Sequence, residues 1–332
     1  MYHYIGIDVS KATLQVYIPI KDENISIENT QRAIKSLYGK LKKYYKKEYQ
    51  NLVFIFESTG SYSSLLKQFC SEHHIYAYII NPRQSANFAK ALDNRNKSDI
   101  IDAKMLYRFH ILLNDTDITI PIIDHDKEAI GEALSYYQLI VKQRTALTNH
   151  LEAVKAKQSN GFIVKKLQQD IKRYQKQEAE LLSQVKHIIL SNDALHDKFN
   201  MIKTFKGIGD LSAMVLLHLF ISYPEANRQE ITALSGLDCI ETSSGTSLQK
   251  KTKISKRGNA LYRGMLFMPV MASLQHNPYM KAFYDRLKGN GKHSNAAQIA
   301  VMRKMILIAH SLYKSGQPFD PEFYEKRIGW NQ

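Results

Sequence analysis

The sequence has few cysteines and no long apolar segment. Its two cysteines, Cys70 and Cys239, lie far apart, so they form neither a closely spaced pair of metal ligands nor a disulfide framework. We expect both to behave as small apolar residues in a reducing compartment. The longest apolar runs, such as 214–217, are far too short to span a bilayer, and Asp8 comes before any apolar core of a signal peptide. These features predict a cytoplasmic protein with no membrane partner.

Acidic residues are scarce relative to basic ones. The 332 residues include 46 Lys and Arg but 31 Asp and Glu, a net charge of +15, and the hydrophobic content of 44% is enough to form sizeable cores. The imbalance is largest over 250–314, where thirteen Lys and Arg accompany one acid, Asp285. Such a stretch is typical of a surface that faces phosphate, although general solubility is an alternative explanation. Double-stranded DNA is therefore a predicted partner.

The first third of the chain has the pattern of an α/β domain. Apolar, β-branched runs predict strands, and i, i+3, i+4 spacing predicts helices. The predicted order is three strands, a helix, a strand, a helix, a strand and then helices. This order fits a mixed sheet flanked by helices and matches the ribonuclease-H-like topology. The predicted strands are 4–9, 13–18, 25–28, 51–56 and 75–80, and the predicted helices are 31–49, 62–73, 85–92 and 98–113.

The remaining two thirds are predicted to be mainly helical. Pro121 ends the first pattern, and long helical patterns over 126–157 and 164–189, with a turn at Asn160-Gly161, predict an antiparallel coiled-coil hairpin. Gly207 and Gly209 then precede an apolar helix, as in a helix–hairpin–helix element that binds phosphate, although a plain packing corner is the alternative. The predicted domains are 1–124, a helical connector at 125–200 and a basic domain at 201–332.

Four acids in the first domain have the pattern of a two-metal site. Asp8 and Glu57 lie at the ends of predicted strands, and Asp99 and Asp102 are three residues apart on one predicted helix face. Together they could hold two Mg²⁺ ions, with Mn²⁺ as a substitute, around a reacting phosphate. Each acid alone also fits a turn or a helix cap, and only the combination favours catalysis.

A serine-rich segment in the basic domain supplies a candidate nucleophile. Ser244-Gly245 is followed by cations that could bind phosphate and neutralise its charge. Ser243 and Ser247 fit almost as well, and a flexible loop beside a basic surface is the alternative. The candidate nucleic-acid-binding residues are Lys250, Lys251, Lys253, Lys256, Arg257 and Arg263.

Several stretches together resemble one known family. They are GIDVSK, FIFESTG, NRNKSDIIDAKML, FKGIGDLSA, LSGLD, SSGTS, KISKRGN, LYRGML and RKMILIAHSLYKSG, in this order. The chain resembles the DEDD transposases of the insertion-sequence family numbered one hundred and ten, which are related to Piv-type DNA invertases. The resemblance implies that Asp8, Glu57, Asp99 and Asp102 form the tetrad of a RuvC-like domain, and that Ser244 is the catalytic serine. Cys239 and Ser243 stand where the family often has Pro and Gln.

The resemblance also implies partners. It implies a noncoding guide RNA from the element, and two duplexes in one reaction require a homo-oligomer, a dimer or tetramer. The basic helix near residue 44 could contact RNA through Lys40, Lys42, Lys43, Lys46, Lys47, Tyr44 and Tyr45, or could simply be solvated. The predicted function is metal-dependent cutting and rejoining of DNA. The alternatives are a structure-specific RuvC-like nuclease, a Piv-like invertase and a non-catalytic nucleic-acid-binding protein.

Overall fold

The computed structural model describes residues 2–58, 60–91, 99–157, 161–240, 243–244, 248–249 and 253–322. For 99–101, 243–244 and 248–249 it describes the backbone alone. The chain divides into two compact units, Met1–Ile123 and Asp124–Gln332. Within the described residues, no helix is long and apolar enough to cross a membrane.

The first unit is built on a mixed five-stranded sheet. Its strands are β1 (His3–Val9), β2 (Thr13–Ile18), β3 (Glu23–Glu28), β4 (Leu52–Glu57) and β5 (Tyr76–Ile80), and their spatial order is β3-β2-β1-β4-β5. β1, β2 and β3 form an antiparallel meander, whereas β4 runs parallel to β1 and β5 runs parallel to β4. This arrangement confirms the predicted mixed sheet and is consistent with the ribonuclease-H-like topology.

Helices cover both faces of this sheet. α1 (Gln31–Tyr45) and α2 (Ser64–Glu72) form one apolar layer with Ile5, Ile7 and Phe54 of the central strands. α3 (Pro82–Ala91) and α4 (Asp99–Arg108) supply the other layer. α1 is four residues shorter than predicted, because Lys46 adopts a left-handed φ of +48° and the chain continues as a 3₁₀ helix over Lys46–Asn51.

Two long helices begin the second unit. α5 (His125–Ala156) and α6 (Gly161–Leu190) lie side by side in opposite directions, since Arg144 pairs with Glu178 at 2.5 Å and Asp126 accepts a hydrogen bond from Asn192, just beyond α6. Coiled-coil packing of these helices stays a prediction. Of the predicted turn, Gly161 is the first residue of α6, and Asn160 lies outside the described residues.

The rest of the second unit packs around α8 (Asp210–Ser222), which is buried on every side. The surrounding helices are α7 (Asp193–Lys203), α9 (Arg228–Leu234), α10 (Ala260–Gly264), α11 (Phe267–His276), α12 (Pro278–Gly289) and α13 (Ser294–Ser315). Two-residue strands lie between α9 and α10: β6 (Cys239–Ile240), β7 (Ser243–Ser244), β8 (Leu248–Gln249) and β9 (Lys253–Ile254). The boundary predicted at 200/201 falls within α7.

The glycine turn between α7 and α8 is a close packing corner. Gly207 has a φ of +112°, and a Cβ built on it would lie 2.8 Å from the Cβ of Ser273 in α11. Only glycine fits this conformation and this spacing easily. The packing explains the glycine by itself, so the predicted binding of phosphate at this turn has no direct support and stays a prediction.

Candidate active site

Asp8 and Glu57 stand beside each other at the same edge of the sheet. β1 and β4 are parallel neighbours, and Ile7 pairs with Phe56, so the next residue on each strand is one of the two acids. Successive side chains alternate between the faces of a strand. Ile7 and Phe56 belong to the layer of α1 and α2, so Asp8 and Glu57 face the layer that contains α4. Both acids thus lie at the ends of neighbouring parallel strands, as predicted, and their sharing of a metal site stays a prediction.

Gly6 lets α4 lie directly on β1. A Cβ built on Gly6 would lie 2.1 Å from the carbonyl oxygen of Ala103 and 2.5 Å from the backbone nitrogen of Tyr107. No larger residue could occupy this position unless the helix moved. The glycine of the GIDVSK motif therefore sets the distance between the helix that carries Asp102 and the strand that carries Asp8.

The direction of α4 brings its N-terminal end toward the acid-bearing edge. Near the other end of β1, Tyr4 stacks on His110, with ring centroids 4.9 Å apart. Ala103 lies over Gly6, so the helix runs antiparallel to β1 and its first turns extend toward Asp8. Asp102 lies on this part of the helix and is partly exposed, whereas the side chain of Asp99 lies outside the described residues.

The described side chains do not by themselves form a metal site. Among them, no three His, Cys, Asp or Glu residues are grouped closely enough to hold a metal ion. The tetrad includes Asp99, of which only the backbone is described. The other three acids of the tetrad, Asp8, Glu57 and Asp102, have described side chains but are not among such a group, so the metal site stays a prediction.

Ser85 contacts one of these acids, and sequence reasoning did not identify it. Its hydroxyl donates a 2.7 Å hydrogen bond to Oε2 of Glu57, and its side chain is 4% exposed. Ser85 lies in the first turn of α3, directly after β5, which is the neighbour of β4. The sequence carries no local signal for this contact, because tertiary packing brings the start of α3 to the end of β4.

Asn29 joins the two loops that follow the acid-bearing strands. Its Nδ2 donates to the carbonyl oxygens of Ser10, just after β1, and Tyr62, beyond β4, at 3.0 Å each. Its Oδ1 is buried and has no hydrogen-bond partner within the described part of the chain. Asn29 therefore ties together the backbone on both sides of the acidic edge.

The candidate serine lies in a small ribbon of the second unit. β6 pairs with β9 over two residues, and β7 pairs with β8 over two residues, with Ser244 opposite Leu248. The side chains of Ser243 and Ser244 are outside the described residues, as are Ser247, Lys250 and Lys251 entirely. The choice among the three serines therefore stays a prediction.

The chain segment before β6 and the segment after β9 lie against each other at Gly236 and Gly258. Gly236 has a φ of +67°, and a Cβ built on Gly258 would lie 2.1 Å from the carbonyl oxygen of Leu234. Arg263 donates from Nη1 to the carbonyl oxygen of Ser235 at 3.3 Å, so this predicted phosphate-binding cation also holds the two segments together. The side chains of Lys253, Lys256 and Arg257 are exposed, as contact with phosphate would require.

A buried His–Tyr pair holds the helix that carries Arg263. Nδ1 of His218 in α8 lies 3.1 Å from the hydroxyl of Tyr262 in α10, and a Cβ on Gly131 of α5 would lie 2.6 Å from the imidazole Nε2. Burial lowers the pKa of His218 to about 4 and raises the pKa of Tyr262 to about 12. Both groups are neutral near pH 7, so the contact is a hydrogen bond between two neutral side chains.

The basic helix α1 offers less surface to RNA than its sequence suggested. Tyr45 is 6% exposed and lies in the core, so the stacking predicted for it is wrong, whereas RNA contact by the other residues of this segment stays a prediction. Lys40 pairs with Glu23 at 2.7 Å. The remaining cations are all exposed, Lys42 and Lys43 on α1 and Lys46 and Lys47 just beyond it, although Lys42 also lies over the ring of Tyr38.

Two family models match successive parts of the chain. Residues 5–154 match the model for DEDD-type transposases of the IS110 group, and residues 200–285 match the model described as transposase IS116/IS110/IS902 family. The chain belongs to the IS110 family of transposases. The first match covers Asp8, Glu57, Asp99 and Asp102, and the second covers the serine segment.

Related proteins agree with a role in DNA rearrangement. The pilin gene-inverting proteins of Moraxella bovis and Moraxella lacunata are each 25% identical to this chain over 338 aligned positions, which cover 97% of this chain and 99% of each relative. An uncharacterized 43.6 kDa protein of insertion element IS110 from Streptomyces coelicolor is 26% identical over 136 residues, which cover 40% of this chain and 32% of that protein. Membership of this family makes the chain a DNA recombinase of the transposase and invertase kind.

Proposed function

We propose that this IS110-family protein cuts and rejoins DNA with a carboxylate-bound metal site and Ser244 as the nucleophile. The observation that carries the proposal is the arrangement at the edge of the sheet. The register places Asp8 beside Glu57, and the Gly6 contact sets the acid-bearing end of α4 over the same edge. Carboxylate oxygens are the type of ligand that hard divalent cations prefer.

The residues at this edge fit Mg²⁺ or Mn²⁺. Carboxylate oxygens suit both ions, and Ser85 holds one oxygen of Glu57, which would fix the orientation of that ligand. When bound, two such ions would stabilise the attacking and leaving oxygens of the phosphoryl transfer. Asp8, Glu57, Asp99 and Asp102 would be the ligands.

Ser244 would act in two steps, first by forming a bond to DNA and then by passing the DNA to a second strand. Its hydroxyl oxygen attacks the scissile phosphorus and loses its proton, the bond to the leaving DNA oxygen breaks, and that oxygen takes up a proton. The phosphoserine link keeps the number of phosphodiester bonds constant, so a hydroxyl of a second strand can attack it and release the serine without a high-energy cofactor. Lys253, Lys256, Arg257 and Arg263 would contact the DNA backbone rather than bases, together with Lys250 and Lys251.

The guide RNA and the oligomer are part of the same proposal. Strand exchange requires two duplexes at once, whereas one chain has one tetrad and one serine segment, so we expect a dimer or tetramer. The exposed lysines of α1 suit an RNA backbone. A protein freed of RNA that still recombined specific sites efficiently would contradict the RNA part, and a monomer on recombining DNA would contradict the oligomer.

Inversion of a DNA segment is the second candidate function. The two relatives that match along almost their whole length are both named as pilin gene-inverting proteins. Insertion and inversion can use the same strand chemistry and differ in the arrangement of the recombining sites. A plasmid that carries two copies of the target site in opposite orientation distinguishes the two, because an invertase flips the intervening DNA.

The test of the chemistry is to identify the residue that becomes linked to DNA. The full chain, with RNA transcribed from the noncoding flank of its element, is incubated with a duplex from the element end that is nicked to trap the intermediate. Peptide mass spectrometry should locate a phosphodiester on Ser244, and Ser244→Ala should abolish it. An adduct on Ser243, Ser247 or a tyrosine would refute this assignment of the nucleophile. Free DNA ends with no adduct would instead favour a nuclease that uses water.

A further inference from the structure

Arg303 lies in a motif that the proposed function does not use. It belongs to RKMILIAHSLYKSG, on α13, beyond both of the segments that match the family models. Its neighbours Met302, Met305 and Ile306 are buried in the main core of the second unit. The backbone at Arg303 is therefore held in place, because the helix cannot shift without disturbing the core.

The guanidinium of Arg303 contacts the start of the serine-bearing segment. Its Nε donates to the carbonyl oxygen of Leu237, and its Nη2 lies 2.8 Å from Sγ of Cys239. The guanidinium is planar and its donors have a fixed geometry, so two simultaneous contacts define both the position and the orientation of the bound segment. Arg303 therefore contacts both Leu237 and Cys239, at the point where β6 begins.

The described residues of the ribbon that starts there form only short strand pairs. β6 and β9 pair over only two residues, and such short isolated pairings are marginal in water. Two further backbone hydrogen bonds lie beside this pairing. The backbone nitrogen of Ser255 donates to the carbonyl oxygen of Asp238 at 2.8 Å, and the backbone nitrogen of Lys256 donates to the carbonyl oxygen of Gly236 at 3.2 Å. These bonds join the two ends of the segment to each other, whereas Arg303 joins the segment to α13.

We propose that Arg303 is a positioning residue for the nucleophile. It acts by fixing Leu237 and Cys239 at the start of β6, which is the base of the ribbon. This inference rests on the proposed function, because it requires Ser244 to attack the phosphate. Ser244 is five residues beyond Cys239, at most about 17 Å of extended chain. A tilt of a few degrees at the base would move it by about 1 Å, and a displacement of this size can slow a reaction about a hundredfold.

The first test compares rates of adduct formation in full-length variants on the nicked duplex described above. Arg303→Met removes both donors and should slow formation of the Ser244 adduct tenfold to a hundredfold, while the Kd for DNA stays within about twofold. Arg303→Lys keeps the charge but loses the paired donors, so we expect a smaller loss. The matched control is Lys198→Met, which removes a cation that contacts α13 through the ring of Tyr313, 4.1 Å away, and should leave the rate unchanged.

The second test uses hydrogen exchange and requires no DNA. In Arg303→Met the amides of Ser255 and Lys256 should exchange faster, whereas those of α8 should not change. A wild-type rate of adduct formation in Arg303→Met would refute the positioning role, as would a uniform loss of DNA binding with no change at Ser255 and Lys256. If Arg303→Met unfolds, the rate in Arg303→Lys decides, and a wild-type rate there would refute the proposal. If the wild-type protein forms no Ser244 adduct, the proposed function itself is refuted. The hydrogen-exchange experiment does not depend on that function, so it still tests whether Arg303 holds the ribbon.

Discussion

The acidic edge of the first unit and the serine ribbon of the second unit are built in different ways. Asp8 and Glu57 lie on adjacent central strands, in register, with apolar layers on both faces of the sheet. Ser244 lies on a two-residue strand, and the ribbon around it is fixed from outside by Arg263 and Arg303. The contrast indicates that the fold itself positions Asp8 and Glu57, whereas individual side chains hold the ends of the segment that carries the proposed nucleophile. Mutations should therefore affect the two regions differently.

The largest expected effect is the loss of a tetrad acid. Asp102→Asn keeps the size of the side chain but removes a negative charge that a divalent cation requires. Recombination should fall below detection, while the free energy of unfolding changes little. The matched control is Glu72→Gln, which neutralises an exposed acid on α2. Plasmid recombination and circular dichroism measure the two quantities, and a wild-type rate in excess chelator would argue against the metal site.

Gly6→Ala tests whether the fold sets the acidic edge. The new methyl group would meet the backbone of α4, so we expect unfolding of the first unit to become easier by about 3 kcal/mol and activity to fall about a hundredfold. Gly39→Ala in α1 is the control, because nothing lies within 4 Å of its Cβ and alanine favours the helix. That control should stabilise the protein by up to about 1 kcal/mol. Urea denaturation measures the free energy of unfolding of both variants. Equal stability of the two variants would contradict the close contact of α4 with β1.

The buried pair of His218 and Tyr262 makes the stability of the second unit depend on pH. The pKa of His218 is lowered to about 4 in the folded protein, so between this value and its ordinary pKa of 6.5 the unfolded chain binds more protons. Stability should therefore fall as the pH is lowered from about 6.5 to about 4, by a total of about 3 kcal/mol. Urea denaturation of His218→Gln should show a smaller dependence on pH. An identical dependence in both proteins would show that His218 does not titrate as described.

The smallest expected effect is at Ser85. Ser85→Ala removes the hydrogen bond to Glu57 and should weaken the binding of Mn²⁺ about tenfold, since ligand orientation is lost but the ligand remains. Ser63→Ala is the matched control, because Ser63 is a buried serine of the same unit whose hydroxyl binds the carbonyl oxygen of Gly60. Calorimetry with Mn²⁺ alone measures the affinity. Equal affinities in the two variants would show that Ser85 does not orient the ligand.

The sequence was sufficient for the sheet and for the strand ends that carry Asp8 and Glu57. Apolar, β-branched runs located all five strands, whereas the grouping of Asp8, Glu57, Asp99 and Asp102 from strand ends and i, i+3 spacing stays a prediction. Both signals are local, and their periods are set by the backbone. The contacts of Ser85 and Asn29 join residues that tertiary packing brings together, so no local period reveals them.

The second unit was harder to predict for the same reason. Strands of two residues produce no periodic pattern, and Arg303 reaches a carbonyl group 66 residues away in the chain. Tyr45 shows the opposite error, because its basic neighbours suggested a surface whereas its spacing with Ile34 and Leu41 places it in the core. Charge clusters predict a surface well only where the apolar period of the helix is read together with them.

The central claim is that the carboxylates of one unit and the serine of the other act in the same chemical step. The most direct measurement is a single-turnover assay of adduct formation on the nicked duplex, with wild type, Asp102→Asn and Ser244→Ala side by side and DNA binding measured in parallel. Both variants should bind DNA as wild type does, and neither should form the adduct. An adduct that forms at the wild-type rate in Asp102→Asn, or that persists in Ser244→Ala, would contradict the claim.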